Sequence, residues 1–188
     1  MFDNVTKSIR VLSAGSVEKA NSGHPGMPLG MADVGTVLYK NFLKVSNDCP
    51  SWINRDRFVL SAGHGSALLY SLLHFNGFDI SIDDMKNFRQ LNSKTPGHPE
   101  LDTKLGIDIT TGPLGQGFAT GVGLALAESY LSNTFGDKII NHFTYGIVSD
   151  GDLMEGLSQE AAELAALWGL GKLIYIFDDN NISIDGNV

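Results

Sequence analysis

The chain of 188 residues has a single cysteine, Cys49. No intramolecular disulfide and no cysteine-rich zinc site can form, which fits a reducing compartment. Basic residues are scarce: 13 Lys and Arg stand against 21 Asp and Glu, a formal net charge of −8. A nucleic-acid-binding surface needs a basic footprint, so that class is disfavoured. A local phosphate site stays open, because backbone N–H groups bind phosphate without much net positive charge. Long apolar runs are missing as well; the longest, near residues 173–177, is far too short to span a membrane. Met1-Phe2-Asp3-Asn4 shows no basic segment followed by an apolar run, so no secretory leader is expected. There are no repeats, no low-complexity tracts and no linker rich in proline or serine, so no domain boundary is placed inside the chain. The expectation is a soluble, cytoplasmic globular domain, able to bury a core without disulfide or zinc staples.

Three common signatures are also missing. No G-x-x-x-x-G-K-[ST] phosphate loop and no serine-centred nucleophile elbow occurs. After Gly115 and Gly117 the next glycine, Gly121, comes one residue too late for the dinucleotide pattern G-x-G-x-x-G. A nicotinamide-dependent enzyme is therefore disfavoured. What the chain does have in excess is glycine, 22 residues, or about 12 % against a usual roughly 7 %. No G-X-Y period accompanies it, so a collagen-like helix is excluded.

Apolar spacing predicts helices over 5–20, 28–42, 66–74, 83–91 and 114–131, with Ser81 or Asp83 as a cap. Residues 57–60 are a short strand candidate, and 93–109, rich in Pro, Gly and Asp, form an ordered loop. The C-terminal third is the clearest part. Residues 143–148 are β-rich and Ser149-Asp150-Gly151-Asp152 is a turn; 155–168 is strongly helical and is ended by Gly169 and Gly171. Residues 173–177 are a near-continuous apolar run, of the kind buried on both faces of a parallel sheet. Strand–helix–strand of this length fits a parallel crossover, so the class is α/β with a mostly parallel sheet flanked by helices.

In such sheets ligands bind beyond the carboxyl ends of the strands. Asp150 ends one predicted strand and Asn180 follows the next, so both emerge at one edge. An acid and an amide oxygen there form half of a hard-cation site, and a main-chain carbonyl such as that of Ile182 supplies another ligand. The competing reading is that both merely cap the following helix or turn. Three of the five histidines, His24, His64 and His98, directly follow glycine, and His24 and His98 also precede proline. Such neighbours fix the backbone on rigid loops, where a neutral imidazole can exchange a proton or donate to phosphate or a sugar hydroxyl. Three unrelated turn histidines are the alternative. His74 is expected as a satisfied core or surface residue, and His142 is given no role. Thr110-Thr111-Gly112-Pro113-Leu114-Gly115-Gln116-Gly117 leads into a helix whose N-terminus favours an anion or a polar ring edge. Gly121 and Gly123 inside that helix would let it pack closely. Glu155 is explained by a first-turn acid complementing a helix dipole.

Together these segments resemble the N-terminal, cofactor-diphosphate-binding part of the transketolase family. The matching stretches are Lys19-Ala20-Asn21-Ser22-Gly23-His24-Pro25-Gly26, Leu60-Ser61-Ala62-Gly63-His64-Gly65 and Ser93-Lys94-Thr95-Pro96-Gly97-His98-Pro99-Glu100. Thr111-Gly112-Pro113-Leu114-Gly115-Gln116-Gly117 follows, then Ser149-Asp150-Gly151 and Asp179-Asn180-Asn181-Ile182-Ser183-Ile184-Asp185-Gly186. They run in family order over essentially the whole chain. The related deoxyxylulose-phosphate synthases share the metal motif but not the Ser-Gly-His-Pro-Gly and Pro-Gly-His-Pro-Glu segments.

The resemblance implies a thiamine-diphosphate-binding fold, with residues 1–188 as the first part of the diphosphate-binding domain. It implies that the rest of that domain, the pyrimidine-binding domain and the C-terminal domain lie outside this chain. It implies transfer of a two-carbon ketol unit between sugar phosphates in the pentose phosphate pathway, with thiamine diphosphate and Mg²⁺, or Ca²⁺ or Mn²⁺ in its place. Asp150 and Asn180 are implied as side-chain metal ligands, with the Ile182 carbonyl as a third. Gly151 is implied as a backbone donor to the diphosphate, His64 as a contact to the diphosphate or elsewhere on the cofactor, and Gly112, Pro113 and Leu114 at the cofactor's pyrimidine end or ring system. His24 and His98 are implied at the substrate, binding hydroxyls and moving protons. Glu155 is implied at a subunit interface, linked to a partner's activating glutamate. The expected partners are sugar phosphates and either a second subunit of a homodimer or a chain supplying the missing domains; no nucleic acid and no membrane are expected. The 188-residue chain alone is expected to show negligible turnover. The alternative is a non-catalytic cofactor-binding or interaction module. One residue departs from the family pattern: Ser149 stands where the motif has its first glycine, and a positive φ there would cost roughly 1 kcal/mol or more.

Overall fold

The computed structural model describes residues 2–183 together with 186 and 187. Helix α1 (Phe2–Ala20) carries Asp3 in its first turn and Lys19 in its last, both complementing the helix dipole. The single helix expected over 28–42 is two, α2 (Gly26–Gly30) and α3 (Ala32–Asn41). In a continuous helix the Leu29 carbonyl would accept the Asp33 N–H. Here it accepts Arg10 Nε–H at 2.9 Å, and the same guanidinium holds the Asp33 carboxylate at 2.5 Å. The chain therefore breaks at Met31, between the two helices.

Strand β1 (Arg57–Leu60) matches expectation, and a 3₁₀ turn at Gly63–Gly65 leads into α4 (Ser66–Phe75). Helix α5 (Ile82–Lys86) is shorter than predicted, although Ser81 does cap it, in a reciprocal box with Asp84. It stops because the Arg89 N–H turns to the Thr95 carbonyl at 2.9 Å, while Thr95 Oγ1 donates to the Asp84 carbonyl at 2.8 Å. Helix α6 (Gln116–Phe135) is followed by β2 (Thr144–Ser149). Residues 149–152, expected as a plain turn, open a further helix, α7 (Asp150–Met154), with Ser149 and Asp152 forming its capping box. Glu155 is extended (φ −73°, ψ 133°), so the predicted 155–168 helix starts one residue later as α8 (Gly156–Leu167). Strand β3 (Leu173–Asp178) and a two-residue antiparallel ladder, β4 (Ile182–Ser183) with β5 (Gly186–Asn187), complete the described chain.

The three long strands form a parallel sheet in the order β1-β2-β3, with Leu60 beside Ile147 and Ser149 beside Asp178. Side chains alternate across it. Tyr145 and Ile147 face a core that includes Ile9, Leu38, Tyr39, Leu68 and Leu72 from α1, α3 and α4. Val148 faces a smaller core with Phe118, Val122 and Ala161 from α6 and α8. Helices thus cover both faces of an α/β sheet. Ser13 on α1 is fully buried, and its Oγ donates to the Ala67 carbonyl of α4 at 3.2 Å, so this small polar residue costs no unpaired group at a close helix crossing.

β1 and β2 are buried on both faces, and β3, the strand expected to be, is not. Among the described residues β3 is a sheet edge, which leaves Ile174 and Phe177 exposed. On the α6 face the Tyr175 ring stacks on Phe118 with centroids 4.3 Å apart, and its hydroxyl donates to the Phe118 carbonyl at 2.5 Å. A side chain at Gly121 of α6 or Gly146 of β2 would collide with that ring. Gly123 meets nothing, so only Gly121 of the predicted pair serves packing.

The amino-terminal edge of the sheet is held by charge. Arg55 pairs with Asp108 at 2.6 Å, both buried, and Asp108 also accepts the Phe58 N–H at 2.8 Å. Asp56 accepts the N–H groups of Lys44 and Phe143, each at 2.7 Å. His142 lies buried beside Asn54, and burial, aided by Arg57, Lys172 and Arg55, pushes its imidazole down to about 4. His74 is satisfied by the Ile80 carbonyl at 2.6 Å, as expected. Among the described residues no helix is long and apolar enough to cross a membrane.

Candidate functional site at the carboxyl edge of the sheet

Beyond the carboxyl ends of the strands lies a cleft of about 400 Å³. It gathers segments that are far apart in sequence: His24 from the α1–α2 loop, His64 from the 3₁₀ turn after β1, and His98 from the long loop. Gly112 and Leu114 line it from the approach to α6, and Gly151, Asn180 and Ile182 from the ends of β2 and β3. Of the sequence-predicted site residues, Asp150, Pro113 and Glu155 do not line the cleft. Asp150 is its immediate neighbour, between Ser149 and Gly151. Pro113 is exposed. Glu155 is also exposed, at the α7–α8 joint, where its Cβ packs against the Gly115 backbone. Ile184 and Asp185 of the last motif lie outside the described residues.

The His24 and His64 rings meet edge to face with centroids 5.1 Å apart. Burial lowers the His64 pKa, His24 and His98 lower it further, and the Asp152 carboxylate pulls the other way. Partial burial, Arg89 and His24 lower that of His98. Both imidazoles are therefore neutral near pH 7, the form that can accept a proton or share one with a hydroxyl.

Parallel pairing brings Asp150 and Asn180 to one edge, as the spacing predicted. The Asn180 N–H donates to Asp150 Oδ2 at 3.3 Å, and Asn180 Oδ1 accepts the Ile182 N–H at 3.1 Å. Asp178 stands beside them. Burial raises its carboxyl pKa, a hydrogen bond with Asn180 lowers it, and Asp150 and Asp179 raise it again. Its Oδ2 is, among the described residues, buried without a hydrogen-bond partner. Among the described residues no three His, Cys, Asp or Glu side chains converge into a ready-made metal cage, so a hard cation here would depend on Asp150 together with amide and main-chain oxygens. The cleft lining offers no Lys or Arg, so an anionic diphosphate would depend on such a cation and on backbone N–H groups.

Sequence reasoning missed Asp152. It is fully buried; Oδ1 accepts Ser61 Oγ at 2.8 Å and the Gly115 N–H at 2.9 Å, and Oδ2 accepts the Ser149 N–H at 3.1 Å. The available signal was the Ser149-x-x-Asp152 spacing of a capping box. Ser149 itself is extended (φ −119°, ψ 174°), so the suspected backbone cost of serine in place of glycine does not arise. The αL position belongs instead to Gly115 (φ 80°), the N-cap of α6. Two residues on, a Cβ at Gly117 would lie 2.5 Å from Ser61 Cα, so α6 can approach the end of β1 this closely only with glycine there.

The family model described as transketolase, thiamine diphosphate binding domain, matches residues 2–188. The chain belongs to this transketolase family. It is 58 % identical over 184 residues to transketolase from Bacillus subtilis, covering 96 % of this chain and 28 % of that protein. It is 58 % identical over 187 residues to transketolase 1 from Vibrio cholerae, again 28 % of the relative. Among solved structures, transketolase from Campylobacter jejuni superposes with a TM-score of 0.96 at 54 % identity, over 100 % of this chain and 29 % of that one. A Pichia stipitis transketolase in complex with sedoheptulose-7-phosphate gives 0.94 at 48 % identity, over 99 % and 28 %. The fold is therefore that of the transketolase thiamine-diphosphate-binding domain. The chain spans a little over a quarter of the length of these transketolases.

Proposed function

We propose that residues 1–188 form the first part of a transketolase diphosphate-binding domain. Asp150, Asn180 and the Ile182 carbonyl hold Mg²⁺, in a site that Ca²⁺ or Mn²⁺ can also occupy. Gly151 and His64 hold the diphosphate of thiamine diphosphate, and Gly112, Pro113 and Leu114 border its ring system. The observation that carries this reading is the convergence of eight sequence-predicted residues on one cleft beside an orphaned Asp178 oxygen.

When bound, the cofactor supplies the electron sink for cleaving and re-forming a carbon–carbon bond next to a carbonyl. The chain's own residues bind, orient and move protons. His24 and His98 line the cleft and exchange protons with substrate hydroxyls, His98 as a neutral imidazole because its pKa is lowered. His64, held against His24, supports that pair from the diphosphate side. The substrates are a ketose phosphate and an aldose phosphate; the Pichia relative solved with a seven-carbon sugar phosphate supports that class. The reaction is two-carbon ketol transfer in the cytoplasm, within the pentose phosphate pathway. The active form is a homodimer or an equivalent assembly, with Glu155 at the subunit interface. Because the chain spans 28 % of its relatives, turnover requires the residues that correspond to their remainder.

Calorimetry with thiamine diphosphate and MgCl₂ tests the binding half. The expected result is Mg²⁺-dependent binding that disappears in Asp150→Ala. Equal binding by both forms would remove Asp150 from the metal site, and binding by neither would reduce the reading to a shared fold.

A further inference from the structure

We propose that Asp152 is a positioning residue that fixes three cleft-forming loops in one register. This rests on the cofactor-cleft reading for its purpose, while its geometry stands alone. Asp152 touches no bound group; it acts through the loops it holds. Each of its two oxygens does a different job. Oδ1 joins the loop after β1, through Ser61 Oγ, to the approach to α6, through the Gly115 N–H. Oδ2 accepts the N–H and, at 3.3 Å, the Oγ of Ser149 at the end of β2. The residue's own carbonyl accepts Ser158 Oγ at 2.6 Å and so anchors α8.

These anchor points sit immediately next to cleft residues. Ser61 precedes Gly63-His64, Gly115 follows Gly112-Pro113-Leu114, and Ser149 precedes Asp150-Gly151. A local cap would need only the Ser149 contacts. The Ser61 and Gly115 contacts reach 91 and 37 residues away and add nothing to capping α7. The four hydrogen bonds accepted by the Asp152 side chain come from uncharged donors, so it is held by loop geometry and not by a counter-charge. Packing leaves little slack around it: a Cβ at Gly63 would lie 2.6 Å from Thr111 Oγ1, and one at Gly151 would lie 2.9 Å from Leu114 Cδ1. A shift in one loop is therefore passed to the next.

Hydrogen–deuterium exchange by mass spectrometry on the 188-residue chain tests this without any ligand. Asp152→Asn keeps the shape but leaves one acceptor oxygen for two sets of donors. Exchange is expected to speed up about tenfold in peptides covering 61–66, 112–117 and 149–152, with α1 unchanged. Acceleration confined to 149–152 would make Asp152 a local cap, and uniform acceleration would make it a general stability element; either overturns the proposal. Should Asp152→Asn fail to fold, Ser61→Ala decides. It should loosen 112–117 as well as 61–66, because the two share Oδ1, and loosening of 61–66 alone overturns the coupling. In a second arm, Asp152→Asn should weaken thiamine diphosphate binding about tenfold at fixed MgCl₂. Ile147→Val, a core control, should leave it within about twofold once affinity is compared at matched loss of stability. Equal weakening by the control overturns the positioning role. If the parent chain binds no thiamine diphosphate, the cofactor reading fails, and the exchange arm still judges the loop coupling.

Discussion

The two ends of the parallel sheet both bury carboxylates, but they neutralise them differently. At the amino-terminal end Asp108 is held by the Arg55 guanidinium, and Asp56 stitches the chain by accepting N–H groups from both sides. At the carboxyl end Asp152 is met by uncharged donors, and Asp178 has, among the described residues, neither an ion-pair partner nor a hydrogen bond to its Oδ2. A buried acid with a cation beside it has its charge matched within the fold, even though Asp108 Oδ1 makes that contact as an ion pair and not as a regular hydrogen bond. A buried acid without one, such as Asp152, is held by neutral hydrogen-bond donors alone. The same residue type thus closes the fold by ion pairing at one end and ties loops together beside the cleft at the other.

The sharpest way to break this contrast is Arg55→Ala. It leaves Asp108 buried and unpaired, and should cost about 3–5 kcal/mol in urea unfolding. Asp150→Ala is the counterpart at the other end. It should weaken Mg²⁺-dependent cofactor binding more than about 100-fold, beyond the 10–100-fold usual for residues that only support a ligand. Its effect on the cofactor-free unfolding midpoint should stay within about 0.5 kcal/mol, because it removes one member of a repelling acid group. Acid offers a third comparison. His142, His64 and His98 all have folded pKa values below the ordinary 6.5, so the unfolded chain binds more protons in that range. Their neutral-state stabilisation is complete above about pH 6.5 and is lost as pH falls through the lowered values. His142, pushed down to about 4, should dominate, so His142→Asn should flatten the decline of stability between pH 6.5 and 4 in parallel urea titrations. The smallest effect expected is that of Ser149→Gly. It removes a cap side chain but not the N–H that Asp152 accepts, and should cost a few tenths of a kcal/mol in the same assay.

Much of this was legible in the sequence. The three parallel strands follow from their apolar runs, and the placing of Asp150 and Asn180 at one edge follows from parallel pairing. The three glycine-flanked histidines converge as their shared loop setting implied. What was not legible depends on partners distant in sequence. The break at Met31 is made by Arg10, nineteen positions before Leu29. The early stop of α5 is made by Thr95. The exposure of β3 reflects which strands lie beside it, which an apolar run cannot report. Asp152 looked like one more acid in a turn, because its meaning lies in Ser61 and Gly115. The doubt over Ser149 came from a motif letter, and the backbone angle removed it.

Tyr175 does not line the cleft, yet it bears on how the cleft is assembled. Its ring works as a key in a slot cut by Gly121 on one side and Gly146 on the other. The slot fixes how deep α6 seats on the sheet, and the Gly112–Leu114 wall of the cleft hangs from the first turn of that helix. A methyl group at either glycine would push the helix outward and carry that wall with it. The machining tolerance of the site is therefore set partly by two residues that carry no chemistry and never touch it.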